Sequence, residues 1–331
     1  MKSIIEYSIQ AGTDVIGPQP NTNDGLLDAE QVTAYTQKAR SFVPNDITLH
    51  IIPFVMITEQ TTFKQIDDCV KAGIVNGKGY PRDRTTKSQN GIRHHGRVLP
   101  QIKHCGEVGM NYHQHPEHSS MLFYNRDAEF AFVPVMEMYL QEAPKTRIFW
   151  EHGSDARCIL HWEYFAKSTG RFFVTLTAHH PATNEDEMFG DVRGVCKPPI
   201  KTEWDRREIV NLIEKDYDWV TAALDDAFHD EGDKFKRRGR CACGSFTTPF
   251  GLQLYAHVLG DKLFQTCKGR ETFVNFTSRN TRRIHNLPPS SRVIELIQEP
   301  LEIPETYPVG GKTALPFWAG QELKYKIKNI I

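Results

Sequence analysis

Lys78, His115, His152 and Asp225 each close a short apolar run, and together these residue types can bind a metal ion and move a proton. Thirty-seven positions separate Lys78 from His115 and another 37 separate His115 from His152, while 73, close to two further steps, lead on to Asp225. A buried ammonium resists desolvation, so a lysine at an interior strand end is driven toward its neutral form. The neutral amine can take up carbon dioxide, and the carbamate formed is an anionic, two-oxygen ligand able to bridge two cations. Imidazole and carboxylate are ligands of catalytic zinc, which keeps one position open for water. Any one of these residues alone reads as a packed or solvated side chain. Their shared interval and shared place at strand ends point to a single metal-type site built from several strands.

The interval matches the length of a βα unit in a TIM barrel, a fold that sets catalytic groups at the C-terminal ends of its strands. Strand-like segments are expected at residues 15–18, 47–56, 74–80, 109–115, 147–152, 172–177 and 219–225. Amphipathic helical stretches are expected at 29–42, 63–72, 128–142 and 205–215, and such alternation calls for a parallel sheet. A closed barrel needs eight strands, and the chain opens instead on a helical pattern over 2–10. The expected fold is therefore an α/β, TIM-type (β/α) barrel over 1–286, missing or truncated at its first strand. From Leu287 the sequence is rich in Pro, Glu and Lys with irregular apolar spacing, so 287–331 is expected to be an extension packed on the barrel.

With 40 basic and 41 acidic residues among 331, nothing in the charge suggests a nucleic-acid or membrane-surface partner. The apolar runs are strand-sized, too short to cross a bilayer, and Met1 leads into a mixed helical pattern without a secretory h-region. Seven scattered cysteines favour a reducing compartment, with the cytoplasm as the default.

On these residues the chain resembles the homodimeric-type dihydroorotases of the amidohydrolase superfamily. Lys78-Gly79-Tyr80-Pro81 matches that family's Lys-x-Tyr-Pro, which carries a carboxylated lysine, and Thr85-Thr86 falls where a Thr-Thr loop closes over substrate. Gly109-Met110 leading to His115 and Glu117 is similar to a Gly-Met segment before a metal histidine and a glutamate. Glu151-His152 looks like the Glu-His of the next ligand, and Thr177-Ala178-His179-His180 is similar to a Thr-Pro-x-His stretch. Asp225 and His229 match an Asp-Ser-Ala-Pro-His motif, here Leu224-Asp225-Asp226-Ala227-Phe228-His229. Pro20-Asn21 resembles a Pro-Asn whose amide contacts substrate, and 317–320 is close to Pro-Phe-x-Ala-Gly.

The resemblance implies a zinc-dependent cyclic amidohydrolase that interconverts dihydroorotate and N-carbamoyl-aspartate in pyrimidine synthesis, working as a homodimer on a small molecule. Zinc would be held by Lys78, His115, His152 and Asp225, with Asp225 as general base and then general acid. Asn21, Thr85, Thr86 and His229 would bind substrate. The family's His-x-His-x-Arg strand is absent, coinciding with the eighth strand not found, and is expected to be truncated from the coding sequence or lost. One zinc site is thereby well supported and the second, left with Lys78 and Asp225, poor. A hydantoinase or allantoinase relative, argued against by Asn21 and the Thr85-Thr86 loop, and a catalytically silent homologue with an interaction or regulatory role are the alternatives.

Other polar residues read more plainly. His113, two before His115, is a polar contact at the barrel mouth rather than a substitute ligand. His94 and His95 are expected in solvent. Cys241-Ala242-Cys243 has one intervening residue where structural zinc uses two to four, and reads as a loop wall. Asp191 and Arg193 are expected to cap or pair at the surface, and the charged run 232–240 to be a solvated loop.

Overall fold

The structure is a computed structural model in which every residue except 237, 239 and 240 is described. The chain divides into two compact units, one of residues 15–44 and 50–175 and one of residues 1–14, 45–49 and 176–331.

After helix α1 (Lys2–Gln10), which belongs to the second unit, the first unit alternates strand and helix. Its elements are β1 (Val15–Ile16), α2 (Ala29–Arg40), β2 (His50–Ile51), β3 (Val55–Met56), α3 (Phe63–Lys71), β4 (Asn76–Gly79), α4 (Leu99–Glu107), β5 (Asn111–Gln114), α5 (Val133–Glu142), β6 (Ile148–Trp150), α6 (Ile159–Thr169) and β7 (Phe172–Thr177). Strands β3 to β8 lie in one sheet in sequence order, and the ladders from β3 to β7 are parallel. Every residue of β4, β5 and β6 is buried, as in a parallel sheet covered on both faces.

The expected strand at 47–56 is two strands. His50–Ile51 pairs with β1 and Val55–Met56 with β4, with Pro53 between them. Proline has no N–H to give a ladder, so the chain changes partner there. Sequence boundaries also slipped at two helices. A capping box of Thr202 and Asp205 starts the next helix at Glu203 rather than 205. Residues 130–132 form a 3₁₀ turn before Pro134 sits in the first turn of α5, so the α-helix begins at Val133 instead of 128.

Strand β7 ends in the second unit, which continues through α7 (Glu203–Glu214), β8 (Val220–Ala223), α8 (Glu231–Lys234), α9 (Gly251–Leu263), α10 (Cys267–Val274) and α11 (Asn280–Ile284). The Tyr255 hydroxyl on α9 stands 2.6 Å from the carbonyls of both Leu176 and Ala223, shares its one proton between them, and so ties the end of β7 to β8. The tail forms no βα unit. It makes three antiparallel pairs from β9 (Ile294–Ile297), β10 (Leu301–Glu302), β11 (Tyr307–Val309), β12 (Lys312–Ala314), β13 (Glu322–Leu323) and β14 (Lys326–Ile330): β9 with β14, β10 with β13, β11 with β12. The charged run 232–240 is not all loop, since it begins in α8, and its residues 237, 239 and 240 lie outside the described residues.

Candidate active site

Lys78 lies on β4, His115 directly follows β5, and His152 and Asp225 stand two residues beyond β6 and β8. The spacing therefore found strand ends. Lys78 is 3% exposed, with its Nζ 4.0 Å from Glu151 Oε1 and 5.6 Å from the centre of the Tyr80 ring. Gly79 beside it leaves no room for a side chain, because a Cβ there would stand 2.1 Å from the Tyr112 hydroxyl.

Glu151 is the residue that sequence reasoning undervalued. Besides facing Lys78, its Oε1 accepts a hydrogen bond from His113 Nδ1 and its Oε2 accepts from Thr175 Oγ1 at 2.7 Å. Burial pushes its pKa up, but the Lys78 ammonium, His113 and Thr175 outweigh that and hold the carboxyl well below the usual range. His113 is accordingly no mouth contact. It is buried, stacks on Phe149 with ring centroids 3.9 Å apart, and its Nε2 faces Asn76 Oδ1 at 3.2 Å.

The imidazoles of His115 and His152 stand edge to face with centroids 4.5 Å apart, and the Tyr80 ring lies 6.3 Å from His115. His115 Nε2 donates to the buried Glu117 at 2.6 Å, which fixes Nδ1 as the bare nitrogen. That carboxylate-to-imidazole link is how metal-binding histidines are held. His152 has φ 43°, and its backbone N–H donates to Thr175 Oγ1 at 2.7 Å. A non-glycine residue held in the left-handed region at a strand end is strain of the kind that gathers at functional sites. The donor set fits a zinc-class ion: two buried imidazoles, one oriented by a carboxylate, beside a buried amine.

Asn21 Nδ2 donates to the Thr86 carbonyl at 3.1 Å, and the Tyr80 hydroxyl reaches Gln19 Oε1 and Asn21 Oδ1 at 3.1 and 3.2 Å. Two of the expected substrate contacts are thus joined to the Lys-x-Tyr segment. Thr85 is tied by its backbone N–H to Ser88 Oγ at 3.2 Å. His94 is exposed as expected, whereas His95 is not: it is buried against Phe132, with Nδ1 2.8 Å from the Tyr139 hydroxyl.

In the second unit, two adjacent aspartates divide their work. Asp226 turns inward and accepts from Thr247 and Thr248, at 3.1 and 2.6 Å from their hydroxyls and also from both backbone N–H groups. Burial outweighs those bonds and pushes its pKa up to about 6. Asp225 is exposed, with φ 48°. His229, expected to hold substrate, has its Nε2 2.9 Å from the Cys243 carbonyl. Gly244 follows at φ +152°, where a Cβ would meet Ala227 at 2.5 Å. Cys241 and Cys243 are half-buried loop residues, and Asp191 and Arg193 pair at 2.8 Å. Among the described residues, the one trio of His, Cys, Asp or Glu with ligand atoms within 4.8 Å of one another is His179, His180 and Cys196, none of which the sequence marked as a metal ligand.

No family model matches the chain. A dihydroorotase of Shewanella sp. (strain ANA-3) is 24% identical over 315 residues, covering 93% of this chain and 89% of the relative. One from Shewanella putrefaciens (strain CN-32) is 25% identical over the same shares. Among solved structures, dihydroorotase from Saccharomyces cerevisiae in complex with 5-fluoroorotic acid superposes with a TM-score of 0.90 at 20% identity, covering 99% of this chain and 93% of that one. Dihydroorotase from Campylobacter jejuni gives 0.84 at 22% identity, over 99% and 92%. L-Hydantoinase from Arthrobacter aurescens gives 0.80 at 11%, over 99% and 77%. The chain is thus similar in sequence to dihydroorotases over nearly its whole length and shares the fold of the dihydroorotase and hydantoinase structures.

Proposed function

We propose that this dihydroorotase homologue is a zinc-dependent cyclic amidohydrolase that interconverts dihydroorotate and N-carbamoyl-aspartate, a step of pyrimidine synthesis, in the cytoplasm and as a homodimer. The observation that carries the reading is the placement of buried Lys78, His115 and His152 at three successive strand ends, with the two imidazoles 4.5 Å apart. Zinc would be held by these three residues, with Asp225 as a further ligand and Lys78 carboxylated. When bound, zinc supplies Lewis acidity toward the amide carbonyl.

The chain's own groups supply the rest. In hydrolysis a water oxygen bonds to the ring carbonyl carbon, the ring C–N bond breaks, and the nitrogen gains a proton. Asp225 takes the proton from the attacking water and delivers it to the leaving nitrogen. Asn21, Thr85, Thr86 and His229 bind the substrate's polar edge and carboxylate. Glu117 orients His115 through their 2.6 Å hydrogen bond.

The test is a coupled measurement of zinc content and turnover on the full chain and on His152→Ala. Dihydroorotate turnover that falls together with zinc in the variant supports the reading, and full retention of zinc overturns the ligand assignment. Offering hydantoin and allantoin alongside dihydroorotate separates the other cyclic amidases, and zinc binding without turnover of any of the three would make the chain a silent homologue.

A further inference from the structure

We infer that His179, His180 and Cys196 form a second metal site, taking a zinc-class divalent ion through two imidazoles and one thiolate. The trio shares no residue with the set built on Lys78, and the inference stands whether or not the chain hydrolyses dihydroorotate. Two loop histidines just past β7 meet a cysteine sixteen residues beyond His180, and all three side chains are buried. Their ligand atoms lie within 4.8 Å of one another, with His180 Nε2 4.0 Å from Cys196 Sγ. Bonds of about 2.0–2.3 Å from zinc to nitrogen and sulfur need only a small closing of that spread.

The hydrogen bonds around the trio point the same way. The Thr177 hydroxyl stands between the two rings, 2.5 Å from His180 Nδ1 and 3.4 Å from His179 Nε2. Without metal, His180 Nε2 donates to the Pro198 carbonyl at 3.1 Å and Nδ1 accepts from the threonine; ligation through Nε2, the nitrogen that faces Cys196 Sγ, moves that proton to Nδ1, which then donates to the threonine oxygen. The threonine oxygen is then left to accept from His179 Nε2–H. That makes His179 Nδ1 a lone pair, and this buried atom has no hydrogen-bond partner among the described residues. Native interiors seldom leave a buried polar atom so; a metal ion satisfies it. Cys196 Sγ donates to the Pro198 carbonyl at 3.1 Å, and that proton leaves when the thiolate binds metal.

The charge nearby is accommodated. Buried Lys234 donates to the carbonyls of Val192, Val195 and Gly244 at 3.0, 3.3 and 2.7 Å; its positive charge favours the thiolate of Cys196, and Lys234 and Lys201 favour the neutral imidazoles of His179 and His180. Three protein ligands leave one position open, the arrangement of a reactive rather than a purely structural zinc. Thiolate with imidazole selects zinc over the harder magnesium or calcium.

Cobalt substitution tests the site, because only a cysteine-ligated cobalt ion shows a sulfur-to-cobalt charge-transfer band in the near ultraviolet. The Lys78, His115 and His152 set contains no sulfur. Full-length protein loaded with Co²⁺ should show the band, Cys196→Ser should lose it together with about one metal equivalent per chain, and His152→Ala should keep it. A Cys241→Ser/Cys243→Ser double variant should also keep it. Absence of the band in the unaltered protein, or its survival in Cys196→Ser, overturns the inference. If Cys196→Ser does not fold, His179→Gln serves instead: a weakened and shifted band supports the site and an unchanged one overturns it.

Discussion

Glu151 Oε1 stands 4.0 Å from Lys78 Nζ while the same oxygen accepts a hydrogen bond from His113. In the metal-free protein Lys78 is thus one side of a buried ion pair. Removing one partner of such a pair strands the other charge, at a cost of about 3–5 kcal/mol. Glu151→Gln in metal-free protein should lower the urea unfolding free energy by about that much, and Glu151→Gln combined with Lys78→Gln should recover most of it. A single variant as stable as the parent would show that the two charges are not coupled.

The left-handed backbone of Asp225 selects the variant that tests its chemistry. Asparagine tolerates φ near 48° almost as well as aspartate, so Asp225→Asn removes the base without new backbone strain. Turnover should fall by about 10²–10⁴-fold, the usual weight of a positioned proton-transfer group, and the acidic limb of the pH profile should vanish. Zinc must be measured in parallel. An Asp225→Asn protein with full zinc and near-parental turnover would remove the residue from the mechanism.

The strand-end placement of Lys78, His115, His152 and Asp225 was legible in the sequence because parallel strands are short buried runs, and the polar residue that ends each one stands out at barrel spacing. All four lie on or within two residues of a strand, on four different strands alike in local pattern. What the pattern could not carry was partnership. Glu151 reads as the neighbour of a ligand, yet it is the counter-charge of a lysine 73 positions away. His179, His180 and Cys196 have no fixed interval, since a loop brings the cysteine back. Pro53 was a written signal for the break between β2 and β3, hidden by the apolar residues on both sides. His95 follows an exposed histidine, and only the packing of Phe132 and Tyr139 around it decides that it is buried.

That burial has a consequence with pH. Desolvation first, then the nearby His118, pushes the His95 pKa down to about 3 from the ordinary 6.5, only partly offset by Glu59. A histidine whose folded pKa is depressed stabilises the fold above the unfolded pKa, because the unfolded chain binds the proton more readily as pH falls. The contribution is complete above about pH 6.5 and erodes between there and pH 3, by about 2 kcal/mol at pH 5. His95→Gln should flatten the stability profile between pH 7 and 5 relative to the parent. Parallel urea midpoints for the two proteins across that range would contradict the assignment.

Arg84, one residue before the Thr85-Thr86 pair, clamps the segment 118–125. Its guanidinium donates to the carbonyls of His118, Ser120 and Phe123 and to Asn125 Oδ1. A planar fork can serve several acceptors at once, which a lysine ammonium on a flexible stem does poorly. Within the clamped segment Leu122 is 93% and Tyr124 82% exposed, ready sites for a protease specific for large apolar residues once the backbone can open. Arg84→Met keeps the apolar stem but leaves three carbonyls without their donor. At about 0.5–1.5 kcal/mol for each hydrogen bond lost, local opening should become at least about tenfold more frequent, and cleavage under native conditions tracks that population. Chymotrypsin digestion followed by mass spectrometry should therefore show faster cutting within 121–125 in Arg84→Met, with Arg84→Lys in between. Because the clamp adjoins the expected substrate loop, KM should rise in the same order with a smaller change in kcat. Equal cleavage in all three proteins would mean that the segment is held by something other than Arg84.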